Sequence, residues 1–378
     1  MKNLAIFYGG KSSEHDISII TAIQVMKNLD KRKYNIFPVY ITQNNSWLML
    51  KKYLDINIYA NKNFKGSELV TGFFNGSLMK KNILGFKTLK KIDVSINCMH
   101  GLNGEDGTLA GMLELAEIPY VGSGVVASAV GMDKVIMKDV FKANNIPCAR
   151  YLGLKKEDIN SNEMLDLAER KLGYPIIVKP ANLGSSIGIN ISNNREELIK
   201  NIEIALNFDK KIILEQVIPN LREINCSVIG CDDYVETSLL EEPIGWKTFL
   251  NFDEKYIQKN ANGSKVLDVH VSEDIDKKIK SLSIKVFKLL GCSGIVRIDY
   301  LFDDKSKKVY VNEINTIPGS YANYLWRDKY TFSVLLDRLI DMAVKEYICK
   351  NKYKYTFSSY VLDQYGIGGN INKNKCIK

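Results

Sequence analysis

Two carboxylates, an amide and a guanidinium recur at strand spacing in "GIVRIDYLFDDKSKKVYVNEINTIPG", residues 294 to 319. Arg297 and Asp299 stand two residues apart, as do Glu313 and Asn315, so each pair points to one face of an extended segment. Between them lies the polar turn Asp304-Lys305-Ser306-Lys307. A hairpin folded about Ser306 sets Asp299 opposite Glu313 and Arg297 opposite Asn315. A sheet face that gathers such groups suits a hard cation. Mg²⁺ takes a few carboxylate or amide oxygens and leaves its other positions to phosphates and water. Asp299, Glu313 and Asn315 supply those oxygens, and Arg297 can hold a nearby anion. The competing reading is an ordinary Arg297–Asp299 salt bridge, with Glu313 and Asn315 facing solvent. The strand ends on Pro318-Gly319, and Gly319 can bring a backbone N–H close to a ligand.

Three further stretches carry chemistry. In "VKPANLGSSIGI", residues 178 to 189, Lys179 ends an apolar strand and Gly184-Ser185-Ser186 make a small-residue loop. Unhindered N–H groups, two hydroxyls and a lysine suit anionic phosphate oxygens. No helix follows, so this is not a Walker loop, and taken alone it reads equally as a turn. In "GGKSSEHDIS", residues 9 to 18, a loop follows the first strand, where open α/β sheets bind ligands. Glu14 there can hold an ammonium group, or the stretch is simply a capped helix start with an acidic first turn. In "HGLNGEDGTLAGMLEL", beginning at His100, the composition suggests a calcium loop but the ligand spacing is wrong. Glu105 and Asp106 are expected to brace this loop, with His100 facing the crevice.

These groups need elements to hold them. Strand-like and helix-like runs alternate over the first hundred residues ("LAIFYG", "DISIITAIQVMKNLD", "YNIFPVYIT", "VSINCMHG", "TLAGMLELAEI"), which predicts βα units on a parallel sheet. Residues 43 to 90 read as an inserted set of short strands without a helical crossover. A helix at "KVIMKDVFKANN", another over 162 to 172, and paired strands "YPIIVKP" and "IGINIS" follow. Further β runs, a helix at "SEDIDKKIKSLSIKVFKLLG", the hairpin, and a last helix at "FSVLLDRLIDMAVKEY" complete three α/β layers and a tail, with no internal repeat.

Bulk properties exclude several classes. With 378 residues, 46% apolar and 25% charged, the chain has an ordinary globular balance and room for two or three domains. No run reaches the about eighteen apolar residues of a membrane span, and "MKNLAIFYGG" reads as a strand, not a signal peptide. The seven scattered cysteines lack CxxC spacing and read as reduced thiols of a cytoplasmic protein. The net charge of +9 hints at nucleic acid, but Ile348 to Lys378 holds six Lys against one Asp and supplies more than half of it. Such a tail reads as solvated and flexible, so no nucleic-acid partner is expected.

Together, in this order, "GGKSSEHDIS", "HGLNGEDGTLAGMLELAEIPYVGSGVVASAVGMDK", "VKPANLGSSIGI" and "VNEINTIPG" resemble the D-alanine–D-alanine ligase family of the ATP-grasp superfamily. The resemblance covers roughly residues 1 to 345. It implies a three-domain ATP-grasp architecture: an N-terminal parallel α/β substrate domain at 1–122, then a central domain at 123–213 and a C-terminal one at 214–347, two α+β units that grip ATP. The tail is 348–378. By the same resemblance Lys134 and Lys179 bind phosphates, Ser185 and Ser186 belong to the phosphate loop, and Glu215 with the backbone near Val217 meets adenine. Glu223 binds ribose, and Lys255 of a flap at "NFDEKY" reaches the γ-phosphate. Tyr256, Ser185 and Glu14 form a hydrogen-bonded trio that closes the site. Asp299, Glu313 and Asn315 hold two Mg²⁺ ions, with Mn²⁺ as a substitute.

The implied reaction phosphorylates the carboxylate of one D-alanine with ATP and joins it to the amine of a second D-amino acid, for peptidoglycan precursors that build the cell wall and set cell shape in bacteria. Glu14 holds the donor's ammonium and His100 lines its site, while Arg297 and the Gly319 N–H stabilise the oxyanion. Family members are commonly homodimers. After Gly319, however, the family continues for about ten residues with a Ser that grips the acceptor's carboxylate, whereas this chain reads "GSYANYLWRDKY". Trp326 comes about four residues early, and Tyr324 and Leu325 stand at the gripping positions. The segment from Glu215 to Glu223 is about one residue longer than in the family. The shortening leaves open another acceptor, such as D-serine, D-lactate or a different amine. A catalytically silent ATP-binding relative is the alternative from another class.

Overall fold

Leu4, Ala5, Ile6, Phe7 and Tyr8 form an unbroken apolar run, and a strand apolar on both sides needs cover on both faces. All five are fully buried in the first strand of the computed structural model, which describes residues 1–158, 161–231, 234–243, 265–267 and 269–358. β1 (Lys2–Gly9) pairs in parallel with β2 (Tyr34–Ile41) on one side. Beyond β2 come β3 (Trp47–Met49), β4 (Glu68–Phe74), β5 (Ser77–Asn82) and β6 (Gly85–Lys91), all antiparallel, so the stretch from 43 to 90 does extend the sheet edge with short strands. β7 (Val94–Asn97) flanks β1 on its other side, and β8 (Tyr120–Val121) ends the sheet. The parallel strands place their C-terminal ends together, where the loops after Gly9 and Asn97 leave the sheet. This is the end at which such sheets hold ligands.

A second sheet of β9 (Tyr151–Lys155), β10 (Ile176–Pro180), β11 (Asn190–Ser192) and β12 (Lys211–Gln216) is antiparallel, in the order β11-β10-β12-β9. Strand β12 runs across the expected boundary at 213/214, because Glu215 pairs with both Ile177 and Tyr151. The second sheet therefore continues to Gln216. A third sheet holds β13 (Leu221–Cys231), β14 (Tyr234–Pro243), β15 (Lys265–Leu267), β16 (Gly294–Asp303) and β17 (Lys308–Asn315), in the order β15-β14-β13-β16-β17.

Strands β16 and β17 form the expected hairpin, with Asp299 opposite Glu313 and Arg297 opposite Asn315. The route to that register differs from a simple fold about Ser306. From Tyr300 to the turn the pairing is Tyr300 with Val311 and Leu301 with Tyr310, one residue out of step. A bulge between Asp299 and Tyr300 absorbs the difference and keeps the polar face continuous, the use to which bulges beside functional sites are put.

After β17 the chain enters a tight 3₁₀ segment, Gly319–Trp326, in which Ser320, Tyr321 and Ala322 take left-handed backbone angles. Tyr321 and Trp326 anchor it. The Tyr321 hydroxyl donates to the Asn97 carbonyl at 2.6 Å and the Trp326 indole N–H donates to Ser227 Oγ at 3.0 Å. Both rings are buried in one core with Leu4, Ile6 and Tyr8 of β1 and with Leu335, Leu336, Leu339 and Ile340 of the last helix, Phe332–Lys350. This shared core fixes the third sheet against the first. Six cysteines among the described residues are free thiols. Among the described residues no helix is long and apolar enough to cross a membrane. The expected flap residues Lys255 and Tyr256, and the tail from 359 onward, lie outside the described residues.

Candidate active site

The loop after β1, the His100 loop, the loop after β10 and the polar hairpin open onto one cleft. It is lined by Glu14, His100, Glu105, Lys134, Lys179, Ser185, Ser186, Glu223, Asn225, Arg297, Asp299, Glu313, Asn315 and Gly319. The first sheet contributes the two crevice loops, the second the lysine and the small-residue loop, the third the hairpin. Sequence motifs separated by as many as 300 residues thus line one cleft.

Glu14 joins the sheets across the cleft. Its carboxylate accepts a short hydrogen bond from the Ser185 hydroxyl. Ser12 Oγ accepts from the Glu14 N–H at 3.1 Å, so the helix His15–Asn28 starts here without a cap from the Glu14 side chain, which is left to face the cleft. A side chain at Gly184 would meet Glu14 Oε2 at 2.8 Å, and one at Gly101 would meet it at 2.9 Å. Both loops thus approach the Glu14 carboxylate closely, and Gly101, at φ 68° with Ser12 Oγ 2.5 Å from where a Cβ would stand, is also a backbone position that suits glycine. Ser185 and Ser186 themselves adopt left-handed angles, φ 54° and 58°, and such departures cluster at ligand clamps.

The acidic brace expected in the His100 loop is present. Glu105 accepts from the Gly101 N–H at 2.8 Å, and Asp106 accepts from the N–H groups of Asn103 and Thr108 at 2.8 and 2.9 Å. Burial pushes the Glu105 carboxyl up to about 8, and the neighbouring Glu14 adds to the rise. His100 is buried, which lowers its pKa despite the nearby Glu14 carboxylate. Its Nε2 lies 3.0 Å from Thr21 Oγ1, and Thr21 in turn accepts from the Ser320 N–H at 3.3 Å. Thr21 thus ties the His100 side of the cleft to the segment after Gly319. No sequence pattern singled it out, since a threonine in an apolar helix run carries no signal of its own.

On the opposite wall Lys134 Nζ donates to the Leu183 carbonyl at 2.9 Å and lies 3.5 Å from Glu313. Lys179 Nζ donates to Glu215 Oε2 at 2.9 Å. Arg297 makes a two-pronged pair with Asp299 at 2.7 and 2.8 Å, and Asn315 Nδ2 donates to the same carboxylate at 3.0 Å. The salt bridge of the simpler reading therefore exists. Glu313 and Asn315 nevertheless line the cleft rather than open solvent. Burial works against the charged Arg297, but Asp299 outweighs it and holds the guanidinium's pKa well above its usual value.

Among the described residues no group of three or more His, Cys, Asp or Glu side chains could hold a metal ion. A hard cation at the hairpin would rest on two carboxylates, the Asn315 amide and the oxygens of a bound phosphate. That sparse set fits Mg²⁺, which commonly keeps one or two carboxylates and takes the rest from phosphate and water.

Four of the expected residues that the structure describes, Glu215, Val217, Tyr324 and Leu325, lie outside the cleft lining, Val217 half-buried just past β12. Glu215 is fully buried, and its carboxylate is held between Lys179 and Lys138. Leu325 has no exposure and packs in the core beside Trp326. Tyr324 is half-buried and donates to Glu241 Oε2 at 3.0 Å, where Asn225 Nδ2 also donates at 3.2 Å. Glu241 had no motif to mark it.

A family model described as D-ala D-ala ligase N-terminus matches residues 3–123, and one described as D-ala D-ala ligase C-terminus matches 140–341. The chain belongs to the D-alanine–D-alanine ligase family. A relative from Thermosipho africanus named D-alanine--D-alanine ligase is 40% identical over 367 residues, covering 96% of this chain and 99% of the relative. One of that name from Staphylococcus epidermidis is 37% identical, covering 94% and 98%. Among solved structures, the D-alanine-D-alanine ligase from Coxiella burnetii superposes with a TM-score of 0.79 at 28% identity, covering 93% and 96%. The VanG D-Ala:D-Ser ligase from Enterococcus faecalis gives 0.78 at 29%, covering 90% and 99%. The fold is therefore the ATP-grasp fold of this family, and the chain is an ATP-dependent ligase that forms a carbon–nitrogen bond.

Removing the hydroxyl that Glu14 accepts tests the cross-cleft contact. A hydrogen bond to a charged group contributes about 1.5–3 kcal/mol, so Ser185→Ala should lower ligase kcat/KM by about 10–100-fold while circular dichroism shows the fold retained. Unaltered kinetics would leave the contact without a role.

Proposed function

We propose that the cleft binds ATP with its phosphates against Lys134, Lys179 and the Gly184-Ser185-Ser186 loop, and joins the carboxyl of D-alanine to the amine of a second D-amino acid. The product supplies peptidoglycan precursors in the cytoplasm. The observation that carries this reading is the single cleft uniting Glu14, the phosphate loop and the Asp299/Glu313/Asn315 face. On this reading residues 1–122 present the donor site, and the units at 123–213 and 214–347 grip the nucleotide, with the break between them after Gln216.

Each side chain has a task its chemistry suits. Glu14 pairs with the donor's ammonium and orients its carboxylate toward the phosphates. Lys134 and Lys179 neutralise phosphate charge, which phosphoryl transfer needs more than covalent help. Glu223 faces the ribose, and the backbone near Val217 the adenine. Asp299, Glu313 and Asn315 would hold Mg²⁺, or Mn²⁺ in its place. A bound ion there supplies Lewis-acid stabilisation of the terminal phosphate. Arg297, fixed by Asp299, and the Gly319 N–H face the carbonyl carbon, where the amine's attack creates an oxyanion. Such donors are each typically worth about 10²–10³ in rate. Lys255 and Tyr256, by family position, complete the closure.

At the acceptor end, Tyr324 takes the place of the family's serine, with its hydroxyl oriented by Glu241. Leu325 can offer only its backbone there, since its side chain is in the core. This remodelled end, and the likeness to a D-Ala:D-Ser ligase, favour as a second reading an acceptor other than D-alanine. Phosphate release with Mg-ATP, D-alanine and a panel of D-alanine, D-serine, D-lactate and simple amines separates the two. Turnover on D-alanine alone supports the first; turnover only on adding another acceptor supports the second. No turnover with any of them, alongside nucleotide binding, would point to a silent relative and overturn both.

A homodimer fits the exposed apolar side chains Leu115 and Val126, 91% and 72% exposed, the second of which lines a groove of about 890 Å³ with Val125, Leu289 and Tyr347. Sedimentation at micromolar concentration should give twice the chain mass of 42.8 kDa. A species of one chain mass would exclude the dimer.

A further inference from the structure

The helix Lys134–Ala143 carries a second lysine one turn after the first, and Lys138 is fully buried. Residues four apart share a helix face, so Lys134 and Lys138 both point toward the second sheet. There they part. Lys134 reaches the cleft wall, whereas Lys138 Nζ ends 3.0 Å from Glu215 Oε1, behind that wall. The other oxygen of the same carboxylate holds Lys179 at 2.9 Å. Three ionised side chains thus form a buried row, Lys138–Glu215–Lys179, of which only Lys179 lines the cleft.

An isolated Lys179–Glu215 pair would be electrically neutral. Lys179 also feels the carboxylates of Glu313 and Glu223 from the cleft side. A neutralised ammonium among further acidic groups would be a poor partner for phosphate. With Lys138 on its far side, Glu215 divides its charge between two ammonium groups, and the row carries a net positive charge that faces the nucleotide. Burial alone would raise the Glu215 carboxyl, but Lys138 and then Lys179 outweigh it and hold it down at about 2. At 3.0 Å from Glu215 Oε1 the Lys138 ammonium acts on the carboxylate chiefly through its charge. A fully buried lysine is costly unless it is paired, and Glu215 is the carboxylate that pairs it.

We propose that Lys138 is a positioning residue for nucleotide binding: through Glu215 it keeps the Lys179 ammonium both fixed and electrostatically available to the phosphates. The inference rests on the nucleotide reading of the cleft. Its test is direct binding of the β,γ-imido analogue of ATP with Mg²⁺, measured calorimetrically on the full chain. Binding to the unaltered protein tests the cleft reading, and the variants test the role of Lys138. Lys138→Met should weaken binding by about tenfold or more, an effect of about 1.4 kcal/mol. In the double variant Lys138→Met/Glu215→Gln the carboxylate is also gone, so the Lys179 charge is no longer offset by it and affinity should recover at least about threefold over the single variant. A merely structural lysine would not give that recovery. Lys138→Gln, which keeps a donor but not the charge, provides a second test if the methionine variant folds poorly, and should also bind about tenfold more weakly. Binding by Lys138→Met or Lys138→Gln within twofold of the unaltered protein would overturn the proposal. So would a double variant as weak as the single one.

Discussion

Carboxylates brought together on one face of a sheet repel each other, and they stay only where cations hold them. That constraint governs this molecule. Asp299 and Glu313 face each other across β16 and β17, with Glu14, Glu105 and Glu223 around the same cleft. Lys134, Lys179 and Arg297 stand among them, and Lys138 stands behind. Each cation comes from a different element from the carboxylate it balances, apart from Arg297 and Asp299. Closing the cleft therefore also organises the fold. Removing one partner of such a buried pair costs more than the pair is worth, because it leaves an uncompensated charge.

The apolar skeleton answers to the same need. The short 3₁₀ segment after Gly319 is anchored at Tyr321 to β7 and at Trp326 to β13, so the loops of the first sheet are held over the hairpin of the third. The Glu14–Ser185 contact then joins the second sheet to the first. Ligase chemistry in this family creates an activated carboxylate that water would destroy, and a site built from three sheets can exclude water when it closes.

Much of this was legible in the chain. Alternating polar residues two apart gave the facing pairs of the hairpin, because strand periodicity is strict. The bulge beside Asp299 was not legible, since a one-residue excess leaves no mark on composition. The glycine-bearing loops stood out in the chain, though each read equally as a turn or a helix start, and their convergence on the Glu14 carboxylate needed coordinates. Lys138 was hidden inside an ordinary amphipathic helix pattern, where a lysine normally reads as solvated. Glu215 seemed an adenine contact by resemblance, whereas its side chain is occupied by two lysines. Leu325 illustrates the limit of ungapped matching: a shortened segment moves the same position from the site into the core.

The central claim is that the opposed oxygens of β16 and β17 bind divalent ions against a nucleotide's terminal phosphates. Electron paramagnetic resonance of Mn²⁺ titrated into the protein with the imido analogue of ATP tests it most directly. The account predicts about two tightly bound ions per chain, with at least one lost in Glu313→Gln while the fold persists. The same number and affinity of bound Mn²⁺ in that variant would contradict it.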